Sequence, residues 1–143
     1  MIRERIGKYL SMTRRAHAAL LDKKLEPYDI SHGQIFLLMS LYRREGVCQH
    51  SLCQTYNLNK SAVSKGIKKL EAVGFITKEA DLNDRRKKLL YLTAKAKEFK
   101  PKFMKILDSV ESEMKEGLTQ EELENYLITT KKMYKNLKNK LDN

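Results

Sequence analysis

One short stretch of the chain carries small polar and cationic side chains at helical spacing. Ser61, Ala62, Ser64, Lys65, Lys68 and Lys69 fall on one side of a helix predicted over 60–73, and Val63, Ile67 and Leu70 fall on the other. Small side chains near a helix N-terminus let its backbone approach a grooved partner closely. Ammonium groups a turn further on neutralise anions. That is the chemistry of a helix seated in the major groove of duplex DNA, roughly 12 Å wide. The bland reading of the same lysines is a solvated face, and a second cluster weighs against it. Asp84, Arg85, Arg86, Lys87 and Lys88 set four cations beside one acid, at a polar tip over 81–87 between two strand-like runs, 75–80 and 88–92. Arginine on a protruding tip suits the narrow, electronegative minor groove. Asp84 is placed to hold one arginine extended through a bidentate pair.

Other chemistries find less. The chain has no phosphate loop, no Gly-x-Ser-x-Gly and no His-Glu-x-x-His, and the acid pair Glu121/Glu122 sits in an amphipathic helix. No enzyme is expected. His17, His32 and His50 share no metal-ligand spacing, so neither metal nor cofactor is expected. Cys48 lies just before a helix predicted over 49–56, where the helix N-terminus would lower its thiol pKa. Thiol-based redox sensing through Cys48 is therefore an alternative function. Cys53, five residues on, is too far for an easy disulfide within one helix.

These residues need a frame. A helix over 3–24 carries Ile6, Tyr9, Thr13, Ala16 and Leu20, with Leu10, His17 and Leu21 beside them, an apolar face broad enough for two neighbours. Glu26-Pro27 ends it, because the residue before proline avoids helical angles. Ser31 with Gln34 has capping-box form and opens a helix through Ile35, Phe36, Leu38, Met39, Leu41 and Tyr42. Its dense apolarity predicts burial on most sides, and Gly46 stops it. Asn57-Leu58-Asn59 is a turn, with Asn59 capping the lysine-faced helix and Gly74 closing it. In the hairpin, Ile76 with Ala80 and Leu90 with Leu92 alternate as in a half-buried pair of strands. From Thr93 a helical pattern returns through Phe103, Ile106 or Leu107, Val110 and Met114, with Pro101 expected to kink it. Gly117 ends it, and a capping box from Thr119 to Glu122 opens a last helix with Leu123, Tyr126, Leu127, Met133, Tyr134, Leu137 and Leu141.

The 143 residues, 41% hydrophobic and 33% charged, suit one domain, or one domain with extensions, and a single domain over 1–143 is expected. No apolar run approaches the roughly 18–20 residues of a membrane span, and the N-terminus lacks a signal-peptide core, so a cytoplasmic protein without membrane partners is expected. The formal charge is +11. Residues 60–102 hold 13 basic and 5 acidic side chains, whereas 1–59 hold 9 and 5 and 103–143 hold 7 and 8. A basic centre between near-neutral ends points to an anionic partner, nucleic acid before membrane.

Three ordered motifs carry a family likeness. The run 52–65, Leu-Cys-Gln-Thr-Tyr-Asn-Leu-Asn-Lys-Ser-Ala-Val-Ser-Lys, resembles the helix-turn-helix of the MarR (multiple-antibiotic-resistance regulator) family. Leu70-Glu71-x-x-Gly74-Phe75-Ile76-x-Lys78 resembles the family's Leu-Glu-x-x-Gly, two hydrophobics, x and Arg. Asp84-Arg85-Arg86, followed by Leu90-Tyr91-Leu92-Thr93, resembles its wing signature. Lys78 stands for the usual Arg, Asn57 for a turn Gly, Ala96 for a Gly and Cys53 for an Ala.

The resemblance implies a mainly α fold with a small β-hairpin wing: a winged helix-turn-helix lobe over 29–92, with dimerisation helices over 1–28 and 93–143. It further implies a homodimeric regulator of transcription, expected to be a ligand-responsive repressor on a palindromic operator. DNA would be contacted by Ser61, Ala62, Ser64, Lys65, Lys68, Lys69, Asp84, Arg85, Arg86 and Lys87. Family members often sense small phenolic or lipophilic compounds, for which Met12, His17, Phe36 and Met39 are candidate lining residues. The plainer reading of those four is core packing. A winged-helix interaction module that never touches DNA is the other alternative, and the basic helix speaks against it.

Overall fold

The structure, a computed structural model, describes residues 3–56 and 58–143. The expected turn residue Asn57 lies outside the described residues. The chain divides into two compact units, Met1–Val110 and Glu111–Asn143.

In the first unit, helix α1 (Ile6–Leu25) gives way to a 3-10 turn at Glu26–Tyr28, with Pro27 inside it. A second 3-10 turn, His32–Gln34, leads into α2 (Ile35–Arg43). The Ser31–Gln34 box is present: Gln34 Oε1 accepts from the Ser31 amide at 2.8 Å and from its hydroxyl at 2.9 Å. Then follow β1 (Val47–Cys48), α3 (Gln49–Tyr56), α4 (Lys60–Ala72), β2 (Ile76–Ala80), β3 (Lys88–Leu92) and α5 (Ala94–Lys115). The sheet is antiparallel in the order β1-β3-β2, with Ile76 opposite Leu92, Ala80 opposite Lys88 and Val47 opposite Leu90.

One core joins these elements. Leu25 of α1, Leu38 and Leu41 of α2, Leu52 of α3, Val63, Ile67 and Leu70 of α4, Leu90 of β3 and Phe103 of α5 are all buried in it. The start of α5 belongs to this core. Phe99 stacks on Phe75 with ring centres 5.0 Å apart and tilts against Tyr28 at 4.8 Å; Phe103 meets Tyr42 at 5.8 Å. The first compact unit thus runs into α5 and ends at Val110. The Tyr42 hydroxyl donates to the Ala96 carbonyl at 2.6 Å, and burial pushes its phenol up to about 12.

Several expectations change. The strand β1 has no counterpart in the sequence reading, because two residues are too few to show alternation. Ala80 is exposed, so only the Ile76 end of β2 is covered. Helix α5 continues through Pro101 without a break. The apolar stripe of α1 is buried only at Leu21 and Leu25, while Ile6, Tyr9 and Leu10 are exposed. Helix α2 is covered on most sides, with Leu37, Leu38 and Leu41 buried and Ile35, Met39 and Tyr42 packed against the core, but Phe36 is 56% exposed.

The second unit holds the end of α5 and helix α6 (Gln120–Leu141). Gly117 takes φ 78°, the left-handed angle that ends α5. Thr119 Oγ1 accepts from the Glu122 amide at 3.1 Å, and Glu122 accepts from the Thr119 amide at 2.8 Å, a complete capping box. None of the residues of α6 is buried.

Candidate nucleic-acid interface

Helix α4 starts where Asn59 caps it: its Oδ1 accepts from the Ser61 amide at 2.7 Å. Its inner face, Val63, Gly66, Ile67 and Leu70, is buried. Gly66 is a position the sequence reading passed over. A Cβ there would collide with the Leu37 side chain, so glycine sets how closely α4 lies on α2. An isolated glycine in a helical pattern is the signal that pointed to it.

The outer face presents Ser61, Ala62, Lys65, Lys68 and Lys69 to solvent, with Ser64 half-buried. Ser61, Ser64, Lys65 and Lys68 line one open groove, which Gln49 of α3, Asn59 and Lys60 complete. Lys69 is set apart. It lines a different cleft with Asp22, Lys23, Glu26 and Asp29 of the α1 end.

The wing tip is ordered by its own acids. Asp81 Oδ1 accepts from the Asn83 amide at 2.9 Å, and Asp84 Oδ1 accepts from the Arg86 amide at 3.1 Å. The Lys87 amide donates to the Asp84 carbonyl at 3.0 Å, and the Asp81 amide donates to the Lys87 carbonyl at 3.1 Å. The expected bidentate pair of Asp84 with an arginine is not formed. Its carboxylate closes an Asx turn on the backbone two residues on, a nearer partner than any side chain. Arg85, Arg86 and Lys87 are exposed. Among the described residues, none of Lys65, Lys68, Arg85, Arg86 and Lys87 is held in an ion pair. Their charge is available to an outside anion.

The other candidates lie elsewhere. Cys48 is half-buried at the end of β1, with Sγ 3.2 Å from Ser51 Oγ. Hydrogen bonds from the Ser51 side chain and amide hold the thiol below its usual range against the opposing effect of burial, helped by the His50 amide and the charge of Lys87. Met12 is 47% exposed and Phe36 more so, which overturns core packing for those two. His17 and Met39 are half-buried, and Met39 packs on the core. Four open clefts of the structure are lined by other residues. No group of three or more His, Cys, Asp or Glu side chains able to hold a metal occurs among the described residues, and none of their helices is long and apolar enough to cross a membrane.

The MarR family model matches residues 30–88, the stretch holding α2 to the start of β3. Over 132 residues the chain is 26% identical to the uncharacterized HTH-type transcriptional regulator YybA of Bacillus subtilis (strain 168), covering 92% of this chain and 88% of that one. It superposes on the crystal structure of a MarR transcriptional regulator from Methanosarcina mazei Go1 with a TM-score of 0.81 and 29% identity, over 95% of this chain and 91% of the other. Over residues 30–88 the chain is similar to the MarR family, and its fold is the one these regulators share. A mutant MarR from E. coli, complexed with operator DNA, shares the fold at a TM-score of 0.81 and 21% identity, over 90% of this chain and 92% of its own. The fold is that of MarR transcriptional regulators.

The MarR motifs acquire physical reasons here. Lys78 meets Glu71 at 3.1 Å, so the second motif is an ion pair tying β2 to α4, and lysine in place of arginine keeps it as a single contact. Gly74 takes φ 77°, which only glycine adopts freely. Thr93 Oγ1 donates to the Gly74 carbonyl at 2.6 Å, and Lys95 Nζ to the Val73 carbonyl at 2.6 Å. These bonds hold the C-terminal end of α4 to the first turn of α5. Ala96 is fully buried where the family pattern has glycine.

Proposed function

We propose that this chain is a homodimeric, sequence-specific regulator that binds duplex DNA, with α4 in the major groove and the wing in the minor groove. The observation that carries this reading is the groove of Ser61, Ser64, Lys65 and Lys68, with unpaired cations at its edge and on the wing. We assign it the role of a repressor on a near-palindromic operator, with half-site centres about 10 base pairs apart. Its release would come from a small aromatic or lipophilic effector. Met12 and Phe36, exposed on α1 and α2, would line such a site once a partner protomer covers those faces. Gel shift with the promoter of the neighbouring gene, with and without candidate effectors, tests the reading. No retarded complex at low salt would sink it.

The wing gives a sharper expectation. Arg86→Ala should weaken binding by about 1–3 kcal/mol, as for a groove contact, and Lys87→Ala by less than about 1. Arg86→Lys should recover little, since an ammonium is more strongly hydrated and lacks the planar fork. Fluorescence anisotropy at two salt concentrations decides it. Equal losses for Arg86→Ala and Lys87→Ala would reduce the tip to a charge cloud.

The dimer reading draws on α6, which exposes Tyr126, Leu127, Tyr134 and Leu137. Exposed apolar surface on this scale marks a contact with another chain. The pair Leu127→Glu and Leu137→Glu should yield a monomer in sedimentation while helix content by circular dichroism holds. A dimer that survives both changes would place the interface elsewhere.

Thiol sensing through Cys48 is a second reading, favoured by its bonds to Ser51. Cys48 should alkylate faster than Cys53 near neutral pH. Equal rates would remove it.

A further inference from the structure

The wing tip carries one side chain that the contacts proposed above leave unused. Leu82 is 98% exposed, in the segment of densest charge. The backbone around it is held. Leu82 is the central residue of the Asp81–Asn83 turn, the Asp84–Arg86 turn follows it, and the bonds between Asp81 and Lys87 and between Lys87 and Asp84 close the loop. An apolar group so placed contributes nothing to the core, yet it is presented on a stiff support with Arg85, Arg86 and Lys87 on the returning arm. The Asp81–Lys87 backbone bond keeps the leucine on the same small tip as those cations, so an anionic partner drawn to them comes close to it. Duplex DNA offers it the C–H surface of the deoxyribose walls and the base edges of the minor groove, where apolar side chains on such tips find cover.

We propose that Leu82 is an apolar DNA contact of the wing, packed against deoxyribose and base edges beside Arg86. The proposal rests on the DNA-binding reading above. It has a signature that the cations do not share. A hydrocarbon contact displaces water and releases no phosphate counterions, so its loss lowers affinity by the same factor at every salt concentration.

The test uses full-length protein and a fluorescein-labelled duplex of the region upstream of its own gene, with anisotropy read across a salt series. Leu82→Ala should weaken binding about tenfold with an unchanged slope of log K against log salt. Leu82→Met, which keeps the apolar bulk, should stay close to the original. Arg86→Ala should lower both affinity and slope. Circular dichroism should match for all three, because none of these side chains is buried. Unchanged affinity for Leu82→Ala would overturn the proposal and leave the leucine to solvent or a protein partner. A loss accompanied by a shallower slope would overturn it too, since the tip would then be only a carrier of charge. If the original protein binds no duplex even at low salt, the DNA-binding reading falls, and this proposal with it.

Discussion

Affinity for duplex DNA is expected to fall about a thousandfold when salt rises from 50 to 200 mM. Lys65, Lys68, Arg85, Arg86 and Lys87 are exposed and outside any ion pair among the described residues. Two protomers double that set. Neutralising about six phosphates gives a slope of log K against log salt of roughly −5. Lys69 should contribute least, because it lies in a different cleft, where its charge acts on Asp22. Lys69→Ala should therefore change the slope less than Lys65→Ala or Lys68→Ala. A slope near zero would dismiss the electrostatic footprint altogether.

The second large effect is on stability. Phe103→Ala should lower the unfolding free energy by about 3–5 kcal/mol. Phe103 is 0% exposed and sits between Tyr42 and Phe99, each with ring centres 5.8 Å away. Truncation would leave a cavity lined by rings, which collapse poorly. Denaturant unfolding should show a lower midpoint and an unchanged slope. A loss below about 1 kcal/mol would mean that α5 is not anchored through this ring.

Much of this architecture is legible along the chain, for particular reasons. Helix α4 has one clear stripe and an asparagine cap, and its bounds, Lys60–Ala72, fall within one residue of those expected. The strands flanking the tip are set by turn residues and cross-strand alternation, and they end as read. Where periodicity has nothing to act on, the sequence is silent. Strand β1 exists because β3 offers Leu89 and Leu90 as partners, a contact some forty residues distant in the chain. Gln49 and Lys60 reach the groove because two helices meet there, and the period of one helix does not see the other. Met12 and Phe36 look like core by composition. Whether an apolar side chain is covered depends on what packs on its face, which composition does not state. Asp84 differs for another reason: its charge suggests an ion pair, while the backbone amide of Arg86 is the nearer partner.

The contact of Gly66 with Leu37 has a consequence for how such a helix can change over generations. The inner face of α4 is tight, so a side chain larger than hydrogen at Gly66 must displace the buried Leu37 side chain or shift the helix. The outer face bears no such load: Ser61, Ala62, Lys65 and Lys68 are exposed and pack on nothing essential to the core. Mutational drift is therefore channelled. Substitutions that alter what the helix reads arise at almost no cost to folding, while those that would re-aim it are removed at once. Descendants of this chain are free to diverge in vocabulary while keeping the same grip.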